Sequence, residues 1–149
     1  RSTPLYSSAA SDVYKRQKQA FDQSIPAFKS LKSELLRAYK RGYLKGLDGR
    51  ALSVRSEHRC LSQLLQSAGA IICKEWVRLI DQELTKAGSK AYIMGWIHDE
   101  VQIACPNEKE GNNVGNLTRR MAKEAGTALK IEIDIDAEYS LGRTWSDTH

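Results

Sequence analysis

The 149 residues carry a formal net charge of +5, with 41% hydrophobic and 28% charged residues. That length holds one modest core, and the balance shows neither the polar excess of a disordered chain nor a low-complexity bias. No apolar run reaches the ~18 residues of a membrane span and no secretory signal is visible, so a cytoplasmic protein with no membrane partner is expected.

Residues 1–20 stand apart from the rest. Arg1–Ser11 is rich in serine and small residues, and Asp12–Gln19 shows no periodic apolar face. A frayed or poorly packed tail, disordered and foreign to the native protein, is expected there, with the folded part over 21–149. Pro26 opens a predicted helix with Ser24 as its cap. Phe28, Leu31, Leu35 and Ala38 then recur at helical spacing, and the helix should stop near Arg41-Gly42. Tyr43–Leu47 and Arg50–Val54 flank Asp48-Gly49, which predicts a hairpin with a two-residue turn.

Charge is concentrated here. Between Lys29 and Arg59 lie nine basic residues against Glu34, Asp48 and Glu57. Such a block can neutralise backbone phosphates, although a merely soluble surface has the same composition. Leu61, Leu64, Leu65, Ala68, Ile72, Trp76, Leu79 and Ile80 give the longest amphipathic pattern, a helix from about Glu57 or Arg59 to Lys86 that stops near Gly88. Gly69 lowers its propensity by about 1 kcal/mol, which points to close backbone approach at that place.

Ala91–Ile97 and Val101–Cys105 read as strands around His98-Asp99-Glu100, so two adjacent carboxylates stand at the end of a hairpin. Acids of this kind are hard oxygen donors suited to magnesium. Being adjacent, they point to opposite faces of an extended segment and need not hold the same ion. On the residues alone, a solvated turn is the commoner reading. After Pro106, Asn107 and Glu110 form a candidate capping box. A second long helix through Val114, Leu117, Met121, Ala125 and Leu129 comes next, weakened at its start by Gly111 and Gly115. Ile131, Ile133 and Ile135 alternate with Glu132, Asp134 and Asp136 and predict a half-buried strand whose acids form a solvent face. The sum is an α+β chain, a small antiparallel sheet backed by long helices. Cys60, Cys73 and Cys105 are odd in number and widely spaced, which suits a reducing compartment, and Trp76, Trp96 and Trp145 read as packing residues.

From about Ile25 to His149 the chain resembles the C-terminal palm portion of family A DNA polymerases, the bacterial polymerase I type, and most of all those of short-tailed bacteriophages. The resemblance rests on Gly46-Leu47-Asp48-Gly49-Arg50, Leu65-Gln66-Ser67-Ala68-Gly69-Ala70, His98-Asp99-Glu100 and the ending Gly142-Arg143-Thr144-Trp145 with terminal His149. It implies that Asp99 is one of two aspartates holding a catalytic Mg2+ pair about 4 Å apart, with Glu100 as an auxiliary acid. It further implies that His98 lies near the primer terminus, that Gln66 meets the minor groove of the primer–template DNA, and that His149 lies near the phosphates of the incoming deoxynucleoside triphosphate. Arg55 and His58 fall in the segment that approaches DNA, and Arg50, Arg55 and Arg59 suit phosphate contacts.

Two departures stand out. Ser62 occupies the place where these enzymes usually carry asparagine. The segment with the partner aspartate and the fingers helix is not found, so a missing N-terminal part of the same polymerase is implied and the isolated chain should have little activity. In phage-infected bacteria the compartment would be the host cytosol. Two rivals remain open: a non-catalytic DNA-binding accessory module, and a small magnesium-dependent nuclease using Asp99, Glu100 and the C-terminal acids.

Overall fold

The computed structural model describes residues 8–148. Where the sequence predicts a frayed tail, the chain forms α1 (Ser8–Ser24), while residues 1–7 lie outside the described residues. The described side chains of α1 are exposed, as its lack of an apolar stripe requires. Near its end Phe21 meets Phe28 edge-on, with ring centroids 5.3 Å apart.

Helix α2 (Pro26–Arg41) begins on its proline as expected, but Ile25 rather than Ser24 occupies the cap position. Ser24 Oγ donates instead to the Phe21 carbonyl at 2.9 Å, closing α1. Gly42 ends α2 in the left-handed region, at φ 88°, which costs a residue without Cβ nothing.

Strands β1 (Tyr43–Lys45) and β2 (Ala51–Ser53) form the basic hairpin, but its turn differs from the predicted one. Gly46 N–H donates to the Arg50 carbonyl at 2.8 Å, and Gly49 N–H to the Gly46 carbonyl at 2.9 Å. The loop is therefore three residues, Leu47-Asp48-Gly49, with Gly49 at φ 85° as the bulge residue. That geometry places one positive-φ residue, where a two-residue type I′ turn needs two. A 3-10 turn (Glu57–Arg59) then leads into α3 (Cys60–Lys86), at the predicted bounds. Strands β3 (Tyr92–Ile97) and β4 (Glu100–Ala104), helix α4 (Glu108–Ala128) and a final 3-10 turn (Trp145–Asp147) complete the chain.

The residues group into two compact units. One runs to Leu44 and includes Ala51–Gln63; the other consists of Lys45–Arg50 and the chain from Leu64 onward. The α+β class holds, but the strands make two separate hairpins rather than a single sheet.

In the second unit Ile80 and Leu84 of α3, Ala91, and Val114 and Met121 of α4 form the core, with Ile93 and Ile103 of the β3–β4 hairpin packed on it. Trp76 Nε1 donates to the Thr118 carbonyl at 2.7 Å, so its half-buried indole leaves no polar group unpaired as it ties α3 to α4. Asn107 caps α4, its side chain accepting from Glu110 N–H at 2.9 Å. The reciprocal half of the predicted box does not form, because Glu110 accepts from Ser89 Oγ at 2.7 Å.

Residues 131–136 are not a strand. A strand pattern without a neighbour cannot build a ladder, and among the described residues this stretch has none. The chain leaves α4 through Lys130 at φ 57°, where Ile131 N–H closes on the Gly126 carbonyl at 2.9 Å. It then runs extended back along the helix. Ile135 lies on Gly126, Tyr139 on Gly115 and Leu141 on Gly111. The glycines that weaken α4 by propensity thus make the trough that takes this segment. Arg119 Nε secures it further by donating to the Ala137 carbonyl at 3.1 Å.

A methyl group at Gly115 would run into the Tyr139 ring, whereas at Gly69 of α3 it would meet nothing within 4 Å. Gly115→Ala is therefore expected to destabilise the chain by about 1–3 kcal/mol. Gly69→Ala should stabilise it by about 0.5–1 kcal/mol, so denaturant unfolding of the two variants should move in opposite directions.

Candidate active site

The β3–β4 hairpin pairs antiparallel with a one-residue bulge at Met94. Ile93 pairs with Ile103 on the core side, and Ile97 pairs with Glu100, which leaves His98-Asp99 as a two-residue turn. His98 sits at φ 54°, in a left-handed conformation that costs a non-glycine residue about 1–2 kcal/mol. Trp96 Nε1 donates to the His98 carbonyl at 2.8 Å and holds the turn in that shape. The result is a fixed tip with Asp99 exposed on it and Glu100 half-buried behind. The Gln102 side-chain amide donates to the Glu100 carboxylate and orients it.

Both carboxylates line an open groove of about 1330 Å³ that also takes in Cys73 and Trp76 of α3. Burial raises the Cys73 pKa, and the Asp99 charge raises it further. Cys73 is therefore held as a neutral thiol next to Asp99, a packing residue rather than a nucleophile. Cys105 is likewise pushed up, by burial and then by Glu110. Among the described residues no three His, Cys, Asp or Glu side chains are grouped to hold a metal ion. Asp136 of the C-terminal acidic row faces Arg119 at 3.5 Å instead, and its carboxyl is lowered by the Ala137 N–H and by Arg119.

The other expected site residues fall in different places. Gln66 is exposed on α3, seven residues before Cys73. Two helical turns separate them, so they share one face about 10 Å apart along the axis. Gly69 lies between them on the same face with open space before it. Arg50 is committed within its own loop: Nε donates to Asp48 Oδ2 at 2.6 Å and its main-chain N–H to Oδ1 at 3.2 Å. That partner holds the Asp48 carboxyl below its ordinary pKa. Arg55, His58 and Arg59 are exposed in the other compact unit, and His149 lies outside the described residues.

Two contributors escaped the sequence reading. Trp96 clamps the turn, and nothing in a lone indole signals that. Thr144 and Asp147 form a capping box around the last 3-10 turn, legible in retrospect from the Thr-x-x-Asp spacing. Asp147 accepts from the Arg143 and Thr144 N–H groups, both at 2.8 Å, and so fixes the course of the chain just before its end.

The sequence model of DNA polymerase family A matches residues 12–147. The chain belongs to DNA polymerase family A. The match starts upstream of Ile25, where the motif resemblance begins. The DNA-directed DNA polymerase of Enterobacteria phage T3 is 39% identical over 118 residues, covering 74% of this chain and 17% of that protein. That of Escherichia phage T7 is 37% identical with the same coverage. DNA polymerase I of Aquifex aeolicus is 27% identical over 132 residues, covering 87% of this chain and 23% of its own length. The POL domain of Pol1 from M. smegmatis, solved in complex with DNA primer-template and dNTP, has the same fold. Its TM-score is 0.74 over 92% of this chain and 26% of that one, at 22% identity. This family A chain thus spans about a fifth of the length of these relatives. Among its described helices, none is long and apolar enough to cross a membrane.

The Asp147 carboxyl lies below its ordinary value of 3.8 because main-chain donors favour its charged form. A depressed pKa stabilises the turn above the unfolded value and is lost as pH falls through the folded one. The Arg143 and Thr144 amide proton resonances should therefore shift as pH drops below about 3.8. In Asp147→Asn that titration should vanish.

Proposed function

We propose that the chain is the C-terminal palm part of a template-directed DNA polymerase that adds deoxynucleotides to a primer during DNA replication. The observation that carries this reading is the Asp99–Glu100 pair on a strained, clamped hairpin tip beside an open groove, in a chain of DNA polymerase family A. The reaction joins the primer 3′ hydroxyl to the α-phosphorus of the triphosphate and releases pyrophosphate.

Asp99 and Glu100 are hard carboxylate donors and fit Mg2+ by chemistry, but two adjacent acids are part of a donor set rather than a whole one. Magnesium, when bound, would activate the attacking oxygen and support the leaving group. The remaining carboxylate is assigned to a polymerase segment N-terminal to these 149 residues. His98 is placed beside the primer end. Gln66 presents an amide to the degenerate acceptors of the minor groove, which senses duplex geometry without reading sequence. The bare backbone at Gly69 leaves room beside it.

Arg55, His58 and Arg59 are assigned to backbone phosphates, and His149 to the triphosphate. Arg50 is a weaker candidate, because a phosphate must compete with Asp48 for its guanidinium. The nuclease alternative draws no support, since the C-terminal acids do not gather with Asp99 among the described residues.

In the complete polymerase Asp99→Ala should lower primer extension on the order of 10²–10³-fold, the scale for losing one preorganised charge-stabilising group, with little change in duplex binding. Normal incorporation by that variant would defeat the reading. Arg55→Ala and Arg59→Ala should weaken binding to all duplex sequences alike and flatten the log–log salt slope by about 0.9 for each phosphate no longer neutralised. Arg50→Ala should do so less.

A further inference from the structure

The tip of the β3–β4 hairpin is gripped from both faces, and a backbone irregularity makes one of those grips possible. Ile93 pairs with Ile103, but the next pairs are Gly95 with Gln102 and Trp96 with Val101, so Met94 is an extra residue. Paired residues share a face of the ribbon, and faces alternate along each strand. Val101 therefore lies on the face of Ile103, and Trp96 lies there with it. In an unbroken ladder Trp96, three residues from Ile93, would stand on the opposite face. Bulges commonly re-aim a side chain next to an active site in this way.

Burial does not account for the extra residue. Met94 is 60% exposed, and neither it nor Trp96 belongs to the core described above. What the bulge achieves is a polar contact. From its new face Trp96 Nε1 donates to the His98 carbonyl at 2.8 Å, on the residue held at φ 54°. That carbonyl belongs to the peptide leading into Asp99, and a peptide is planar, so the bond fixes the plane from which the Asp99 side chain departs. On the other face the Gln102 amide holds the Glu100 carboxylate. Asp99, exposed, stands between the two grips in the chain.

We infer that Trp96 is a positioning residue for nucleotide addition: seated by the bulge at Met94, its N–H keeps the His98-Asp99 peptide in the orientation that aims Asp99 at the reacting groups. The bearing on nucleotide addition rests on the polymerase reading; the hold on the turn rests on the strand pairing and the hydrogen bond alone. Phenylalanine keeps a ring of similar shape and loses the donor, so Trp96→Phe removes the hold with the least change in packing. A displaced group that acts in the transition state costs rate rather than substrate binding.

The experiment compares Trp96→Phe with wild type, by NMR on the 149-residue chain and by primer extension with the complete polymerase. The one-bond Cα–Hα coupling of His98 distinguishes positive from negative φ. It should report positive φ in the wild type and a mixed population in the variant. The variant's kcat should fall about fivefold, the factor for one net hydrogen bond, with KM for the deoxynucleotide and Kd for duplex unchanged. An unchanged coupling or an unchanged kcat would overturn the inference. In a His98→Gly background positive φ carries no Cβ penalty, so there the Trp96 substitution should cost less than about twofold in kcat. An equal loss in both backgrounds would mean that the indole acts by packing alone, and would also overturn it. Should Trp96→Phe alone not fold, the His98→Gly pair still decides by the same criterion. Asp99→Ala, assayed alongside, separates the two ideas. If it extends primers as well as wild type, the polymerase reading fails, while the His98 coupling still decides the hold on the turn.

Discussion

Burial of Ile80 and Met121 between the two long helices is the constraint on which the second unit depends. Ile93 and Ile103 can join that core only if the β3–β4 hairpin lies across it in one register. A slip of one residue would turn both outward. Between that pair and the tip the ladder shifts by one residue at Met94, and the shifted register, ending at Ile97–Glu100, leaves the turn at His98-Asp99. The Trp76 indole, bound to the Thr118 carbonyl, keeps the helices at the spacing this packing needs. Core packing and the bulge at Met94 together decide where a carboxylate stands several residues beyond the core.

That placement is bought with local strain at His98, a residue in a conformation suited to glycine. The compensation is nearby: the Trp96 indole takes the His98 carbonyl, and the Gln102 amide takes Glu100. Strain of this sort persists where the surroundings over-determine the backbone, and it concentrates at functional positions. Around the tip the electrostatics are simple. Asp99 remains exposed, while burial and the nearby carboxylate keep Cys73 protonated.

Helices were the most legible part of the sequence. The Leu61-to-Ile80 pattern gave α3 almost to the residue, and Pro26 and Gly42 bracketed α2, because periodicity and end signals act locally. Errors arose where a local signal had competitors. Asp48-Gly49 admits two hairpin loops, and the Asp48–Arg50 pairing accompanies the longer one. Glu110 satisfied the box pattern but bonds Ser89, 21 residues away. The 131–136 alternation signals a strand, but a strand needs a neighbour, and no single segment reveals whether one is present. The motif order singled out Asp99 and Glu100, which lie at the hairpin tip beside the groove, and Gln66, which is exposed on α3. The clamp by Trp96 could not be read in advance, since a side chain reaching a carbonyl two residues away depends on the turn geometry itself.

The three tryptophans occupy three distinct surroundings: Trp76 against the core, Trp96 behind the hairpin tip and Trp145 on the last turn. Trp96, tied to a carbonyl and 39% exposed, stands three positions from Asp99. Its emission is a native optical gauge of that corner. Any cation, nucleotide or polypeptide that settles there alters the polarity and quenching felt by this indole, so occupancy can be followed by fluorescence without attaching a dye.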